Sequence, residues 1–329
     1  MKRFRFDISE RGASLVSALL LVAVMSALAM SLVTDLRFSM RRSANLEVRD
    51  QAYWYALGAR EFAEISIERT MQAPDDTLRP DADWLTGPRI FPLNDGQLVG
   101  RVRDASNCFN LNSLVAAEAN GLLIANPQQR RRFEALLQAI GLPVQQSASI
   151  AAELTDWLDS DQRPVLSGAE DDTYIGAGRG YRTGNTLLAE PEEMLALASM
   201  TALVYGQIEP FVCAHPVVEN IPLNINTLQF DQAPLLVAMF EGQISRTTAD
   251  GILIQRPPDG FAKMDLFWGL EVFETVEVST EHRQAIGRTS KYFQIEVDVL
   301  YAGARFTLSE LVEWRGGVRR LTQRYGSFS

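Results

Sequence analysis

The stretch SERGASLVSALLLVAVMSALAMSLVTDLR, residues 9–37, decides the architecture. From Gly12 to Thr34 it carries no charged side chain. At roughly 1.5 Å per residue this run covers about 35 Å, enough to cross a hydrocarbon core of about 30 Å. Lys2, Arg3, Arg5 and Arg11 precede it and the next basic residue is Arg37. The positive-inside bias therefore leaves the N-terminus cytoplasmic and exports the downstream chain. A cleaved secretory signal has a shorter apolar core, of about 7 to 15 residues, with a small-residue cleavage site such as Ala27-Leu28-Ala29 could provide. Against that reading, the run passes without Gly or Pro into a helical pattern: Ala44, Val48, Ala52, Tyr55, Ala59 and Phe62 recur at three- and four-residue steps. The first later Gly is Gly58 and the first Pro is Pro74. One helix is predicted from near Ala13 to near Arg69, on the order of 85 Å long, half in lipid and half against a domain.

The chain has 329 residues, 47% of them apolar, and a formal net charge of −10. That is room for an anchor and two or three folded modules. Nucleic acid is disfavoured as main partner, because phosphate binding needs clustered Lys and Arg and no basic stripe occurs. The two cysteines, Cys108 and Cys213, are too few and too far apart for a zinc site. The two histidines, His215 and His282, fall in no triad pattern, and no phosphate-binding glycine loop occurs, so an enzyme is not expected.

Further along, the Pro- and Asp-rich stretch from Ala73 to Asp95 reads as loop, followed by a strand at Gln97 to Arg103. YFQIEVDVLY (292–301), ARFTLSELVEW (304–314) and VRRLTQRY (318–325) alternate with strand period, separated by Ala-Gly and Arg-Gly-Gly turns. They predict an antiparallel meander. Leu111 to about Gly287 is dominated by helical patterns: RRFEALLQAIGLP, SIAAELTDWLDSD, EPEEMLALASM, QAPLLVAMF and TTADGILIQR. The fold class is α+β, with a helical domain inserted into a small α/β domain whose two β parts pair across roughly 190 residues.

A short basic leader, an Arg-Gly junction and a long apolar helix bearing a globular domain resemble the type IV pilin and pseudopilin class. In that class a prepilin peptidase cuts after the glycine, here Gly12, leaving Ala13 as a methylated N-terminus while the apolar helix stays. Most of the class carry glutamate at the fifth mature position, where this chain has Ser17. A carboxylate in the bilayer costs several kcal/mol unless paired, and its absence marks a subunit lacking the usual partner. One family shows this departure. RGASLVSALLL (11–21), QAYWYALGAREFA (51–63), RDASNCFNLNSL (103–114), ELTDWLDSD (153–161), GAEDDTY (168–174) and LNINTL (223–228) resemble the minor pseudopilin K of type II secretion, general secretion pathway protein K.

The resemblance implies a pilin-like fold with a large all-α insert. The expected parts are a leader at 1–12, a transmembrane half-helix at 13–34, pilin-like segments at 35–110 and 287–329, and the insert at 111–286. It also implies an inner-membrane anchor with a periplasmic head, partnership with the I and J minor pseudopilins and then the major pseudopilin filament, and a capping and initiating role at the tip of a pseudopilus that exports folded proteins. Helix packing would use small residues such as Ala18, Ala23, Ala27 and Ala29.

Asp156, Asp159 and Asp161 end one helix, and Glu170, Asp171 and Asp172 follow in a loop. Such carboxylates are either solvated or share a cation, and calcium accepts six to eight oxygens. Asp159-Ser-Asp161 resembles the start of an EF-hand loop, but Arg163 in the fifth position breaks it. Since K pseudopilins bind calcium in matching acidic segments, the resemblance implies a structural Ca2+ on Asp159, Asp161, Glu170, Asp171 and Asp172. Cys108 and Cys213 would be bridged in an oxidising compartment, the alternative being two buried thiols. Residues 223–261 look like a helix-hairpin-helix unit, which offers the rival reading of a membrane-tethered nucleic-acid binder. Glu241 stands where an anion would bind, so the unit reads as packing.

Overall fold

The structure, a computed structural model, describes residues 9–72, 78, 84–85 and 87–326. The leader Met1–Ile8 lies outside the described residues, and of Gly12 and Ala13 only the helical backbone is described. A single helix, α1, runs Ser9–Met71. It stops at Met71, three residues before Pro74 in the sequence, a residue that cannot continue the ladder. From Ser14 to Glu47 every residue is exposed. Beyond that, Ala52, Ala56, Arg60, Ile67 and Met71 are buried on one stripe at steps of four or a multiple close to it. The two alanines let the helix lie close to a sheet.

That sheet has five strands, all antiparallel neighbours, in the order β1 (Arg89–Leu93), β2 (Gly96–Asp104), β9 (Tyr292–Tyr301), β10 (Ala304–Trp314), β11 (Val318–Tyr325). β1 (Arg89–Leu93) and β2 (Gly96–Asp104) form a hairpin. β1 is a correction to the loop expected over 73–95. Its Pro92 lacks an N–H, which an edge strand tolerates, and its side chains are mostly exposed, so no alternation betrays it. Gly96 closes the hairpin, where a Cβ would lie 1.9 Å from the Leu300 carbonyl oxygen.

The chain then enters the insert through β3 (Phe109–Asn110), β4 (Val115–Ala117), β5 (Leu123–Ala125), α2 (Pro127–Ala139) and α3 (Val144–Leu158). α4 (Asp171–Gly176), α5 (Ala202–Ile208), β6 (Val212–Cys213), β7 (Leu223–Asn224), α6 (Ala233–Met239) and α7 (Arg246–Ile254) follow. α8 (Met264–Trp268), α9 (Thr280–Ala285) and β8 (Ile286–Gly287) complete it. The insert is therefore not all-α: β3 pairs with β6, β4 with β5 and β7 with β8. Nor is the EPEEMLALASM segment an α-helix; Pro191–Ala196 is a 3-10 turn. Asn126 caps α2 by accepting from Gln129 N, with Pro127 behind it. The core runs through Phe109, Phe133, Leu154, Tyr174, Leu236, Phe240 and Phe267.

β9 (Tyr292–Tyr301), β10 (Ala304–Trp314) and β11 (Val318–Tyr325) form the meander, with Ala302-Gly303 in positive φ at the first turn. β9 pairs with β2, so Leu98 opposes Val299 and Val102 opposes Ile295. Phe293, Ile295, Val297 and Val299 alternate onto the face that α1 covers.

Two devices join sheet and insert. Asp104, at the end of β2, accepts from Ser106 N at 2.9 Å and from the hydroxyls of Thr227 and Ser290. One carboxylate thus gathers the end of β2, the segment leading into β9 and the insert. Beside it, Cys108 and Cys213 form a disulfide with Cα atoms 5.8 Å apart. His215 lies against it, its Nε2 2.7 Å from the Ala105 carbonyl oxygen and its ring stacked on Tyr292 at 4.7 Å. Burial holds this imidazole neutral, its pKa lowered to about 4, so it fills space and donates one bond.

Candidate functional site

The acidic cluster forms where α3 runs out. The last residues of α3 are buried all round, and Asp159 ends the helix in an extended conformation that throws the chain outward. Ser160 pins the bend: its N–H donates to the Leu123 carbonyl at 2.9 Å, and its Oγ accepts from Leu123 N at 2.9 Å. Asp161 accepts from Arg163 N at 2.7 Å, which starts the return. Gly168 then passes so close to Asp156 that a Cβ would stand 1.9 Å from Oδ2. The chain reaches Glu170 and enters α4.

As a result one carboxylate oxygen from each of Asp159, Asp161 and Glu170 lies within 4.8 Å of the others. Asp156 belongs to the same group, since its charge acts on Asp159 and Glu170. Sequence reasoning placed Asp156 in the cluster but not among the ligands. The signal was its i,i+3 spacing from Asp159, which puts both on one helix face. Asp171 is turned elsewhere: it accepts from Thr183 N at 3.0 Å and from its hydroxyl at 2.9 Å, and lies 3.4 Å from Arg182. Asp172 is exposed. The structure thus brings together three of the five expected ligands, plus Asp156.

Asp156, Asp159 and Glu170 are 0%, 3% and 4% exposed, and each has one buried oxygen with no hydrogen-bond partner: Oδ2, Oδ1 and Oε1. Burial raises the Asp156 pKa to about 6. Burial, and then repulsion from the other carboxylates, raises Asp159 and Glu170 to about 7. Buried polar atoms are otherwise satisfied, and the unpartnered oxygens of Asp159 and Glu170, grouped with Asp161, fit an oxygen-coordinated cation.

Two other expected features take definite places. The α6–α7 hairpin turns at Glu241 and Gly242, both at positive φ. Its amides are already engaged, Gly242 N with the Val237 carbonyl and Gln243 N with the Phe240 carbonyl, while Glu241 accepts from Arg131 Nε at 2.8 Å. No free amides face outward for a phosphate at those two positions, and α6 is buried along its whole length, so the hairpin packs. On α1, helix geometry sets Ala18 and Ala29 on one face and Ala23 and Ala27 on the opposite one, all exposed. They lie on two opposite surfaces of the helix.

Where α1 meets the sheet, Glu310 of β10 is wholly buried, 3.7 Å from Arg60 and 3.4 Å from Arg320. Burial and the neighbouring Glu64 raise its pKa to about 7. Arg320 also reaches Glu64 at 2.8 Å and Glu61 at 2.7 Å, clamping β11 to the helix.

Comparison with known proteins agrees on one family. Residues 107–217 and 223–287 match two family models, each described as type II secretion system (T2SS), protein K. The chain is 31% identical to type II secretion system protein K of Klebsiella pneumoniae over 321 residues, 97% of each chain. It is 34% identical to the Pseudomonas aeruginosa protein K over 266 residues, 78% of this chain and 76% of that one. Among solved structures it resembles a chain of the GspK-GspI-GspJ complex from enterotoxigenic Escherichia coli, with a TM-score of 0.76 and 27% identity, covering 87% of this chain and all of that one. The chain, with its apolar N-terminal helix suited to a single-pass anchor, belongs to the type II secretion system protein K family.

Proposed function

We propose that this chain, a minor pseudopilin of the type II secretion system, caps the tip of a periplasmic pseudopilus and starts its assembly. The observation that carries this is α1: one unbroken helix whose first half, Ser14 to Glu47, is exposed at every residue. Such an apolar surface is stable in lipid or in a bundle of like helices. The upper half is fixed to the sheet, so whatever binds the lower half carries the head with it. The insert, from Leu111 to Ile286 and far larger than the sheet, would obstruct a further subunit above.

The solved relative is in complex with the I and J pseudopilins, and we assign the same partners here, followed by the major pseudopilin. The anchor would sit in the inner membrane with the head periplasmic, after prepilin peptidase cuts between Gly12 and Ala13. The pilin-like parts would be 35–110 and 287–329, around an insert at 111–286.

The acidic cluster would hold one structural calcium ion. Asp159, Asp161 and Glu170 would ligate it, with Asp156 beside them and Asp171 and Asp172 outside the first contacts. Bound there, calcium would supply the positive charge that the buried Asp159 and Glu170 and the exposed Asp161 share. It would tie the end of α3 to the loop before α4.

A Gly12→Leu variant tests the assignment. It is expected to accumulate as an uncleaved precursor and to stop secretion of folded substrates. Normal processing and normal secretion would contradict it.

A further inference from the structure

Once a leader is cut after Gly12, the positive charge nearest the apolar run lies on its outer side. Arg37, Arg41 and Arg42 follow Thr34 on the same helix, roughly 5, 10 and 12 Å further along the axis. A headgroup layer is about 5–8 Å deep on each side of the hydrocarbon, so the three guanidinium groups reach into and just over it. All three are exposed, and among the described residues none is paired with a carboxylate. Asp35 is the one acid between the apolar run and Glu47, which leaves the stretch net positive.

Hydrophobicity alone does not fix how deep α1 sits. Leu36, Phe38 and Met40 are 62%, 76% and 71% exposed and interleave with the arginines. Sliding the helix inward by about one turn, 5 Å, would bury them. The head cannot act as a stop there, because it first packs on the helix around Ala52. The arginines oppose the slide, since charge is excluded from hydrocarbon and attracted to anionic headgroups. With a leader cut after Gly12, Lys2, Arg3, Arg5 and Arg11 leave, and these three become the basic residues nearest the span.

We propose that Arg37, Arg41 and Arg42 form a cationic collar that grips anionic phospholipid headgroups of the outer leaflet and sets the depth of α1 in the bilayer. This rests on the reading of α1 as a span with its downstream end outside.

The test uses the full chain in vesicles. The native cysteines are bridged, so single cysteines placed at Ala23, Leu36, Phe38 or Met40 report accessibility to an impermeant maleimide. In vesicles containing phosphatidylglycerol, positions 36, 38 and 40 should label and position 23 should not. In an R37Q/R41Q/R42Q chain, or in phosphatidylcholine alone, protection should extend outward by about one turn, closing 36 and 38. Inorganic phosphate added to the phosphatidylcholine vesicles should not reopen them. An unchanged boundary in all conditions would overturn the collar, and so would an unchanged boundary with lost capture of partner pseudopilins, which would make the arginines a protein contact. Labelling at position 23 would instead remove the span itself.

Discussion

Replacing Asp159 with Asn should change stability in opposite directions with and without calcium. Without the ion, the three buried carboxylates repel and each has an oxygen no donor satisfies. Their pKa values stand near 6, 7 and 7, above the ordinary carboxylate range. A raised folded-state pKa means that the folded chain holds more protons than the unfolded one between about pH 4 and pH 7, so stability falls as pH rises through that window. In chelator, then, the wild-type chain should melt at lower temperature at pH 8 than at pH 5, and D159N should melt higher than wild type at pH 8. With calcium at about one hundred times its dissociation constant, binding adds about 2.7 kcal/mol. For a domain of this size that is a rise of about 5–10 °C at pH 8 for wild type. D159N, with one ligand charge fewer, should gain little. Differential scanning calorimetry of the chain in detergent, with calcium or with chelator, reads both signs. Equal melting of wild type with and without calcium, or an equal loss by D159N in both buffers, would refute the reasoning.

Gly168→Ala should weaken the same site from outside the ligand set, because its Cβ would lie 1.9 Å from Asp156 Oδ2; calorimetric titration should show calcium affinity reduced or lost. Opening the disulfide with C108S/C213S should cost about 2–5 kcal/mol, read by denaturant unfolding, since the bridge closes a loop of 105 residues. Arg60→Ala should cost about 1–3 kcal/mol, because it strips one of two guanidinium partners from the wholly buried Glu310 and leaves Arg320. Arg305→Ala, which breaks an exposed pair with Asp298, should change stability by less than about 1 kcal/mol in the same assay.

Much of this arrangement was legible because it rests on periodicity. The apolar run and its continuation through Ala52 and Ala56 announce one helix, and the last three strands alternate over eight residues or more. What escaped lacks a period. β1 is an exposed edge with a proline, and β3, β6, β7 and β8 are two residues long, too short for any pattern. The 3-10 turn at Pro191–Ala196 has helical composition but is held by the Glu190 and Glu193 capping pair. At the acidic cluster, chain proximity misled: Asp171 and Asp172 adjoin Glu170 in sequence, yet the start of α4 rotates them away, while Asp156 arrives from three residues back. Adjacent residues on a helix diverge by 100°, and residues three apart converge. Likewise the four alanines of α1 read as one packing set until the helix angle divides them between two faces. The bridge between Cys108 and Cys213 was foreseeable from compartment alone, whereas the Asp104 knot beside it was not, because Thr227 and Ser290 come from distant segments.

The central claim is that the bare half of α1 is built to lie among sister helices. Solubilising membranes in mild detergent and purifying the full chain in the absence of DNA tests it most directly. The I and J pseudopilins should co-purify in a stable complex, and the chain should begin at Ala13. A chain recovered alone, freely soluble and starting near residue 30, would contradict it.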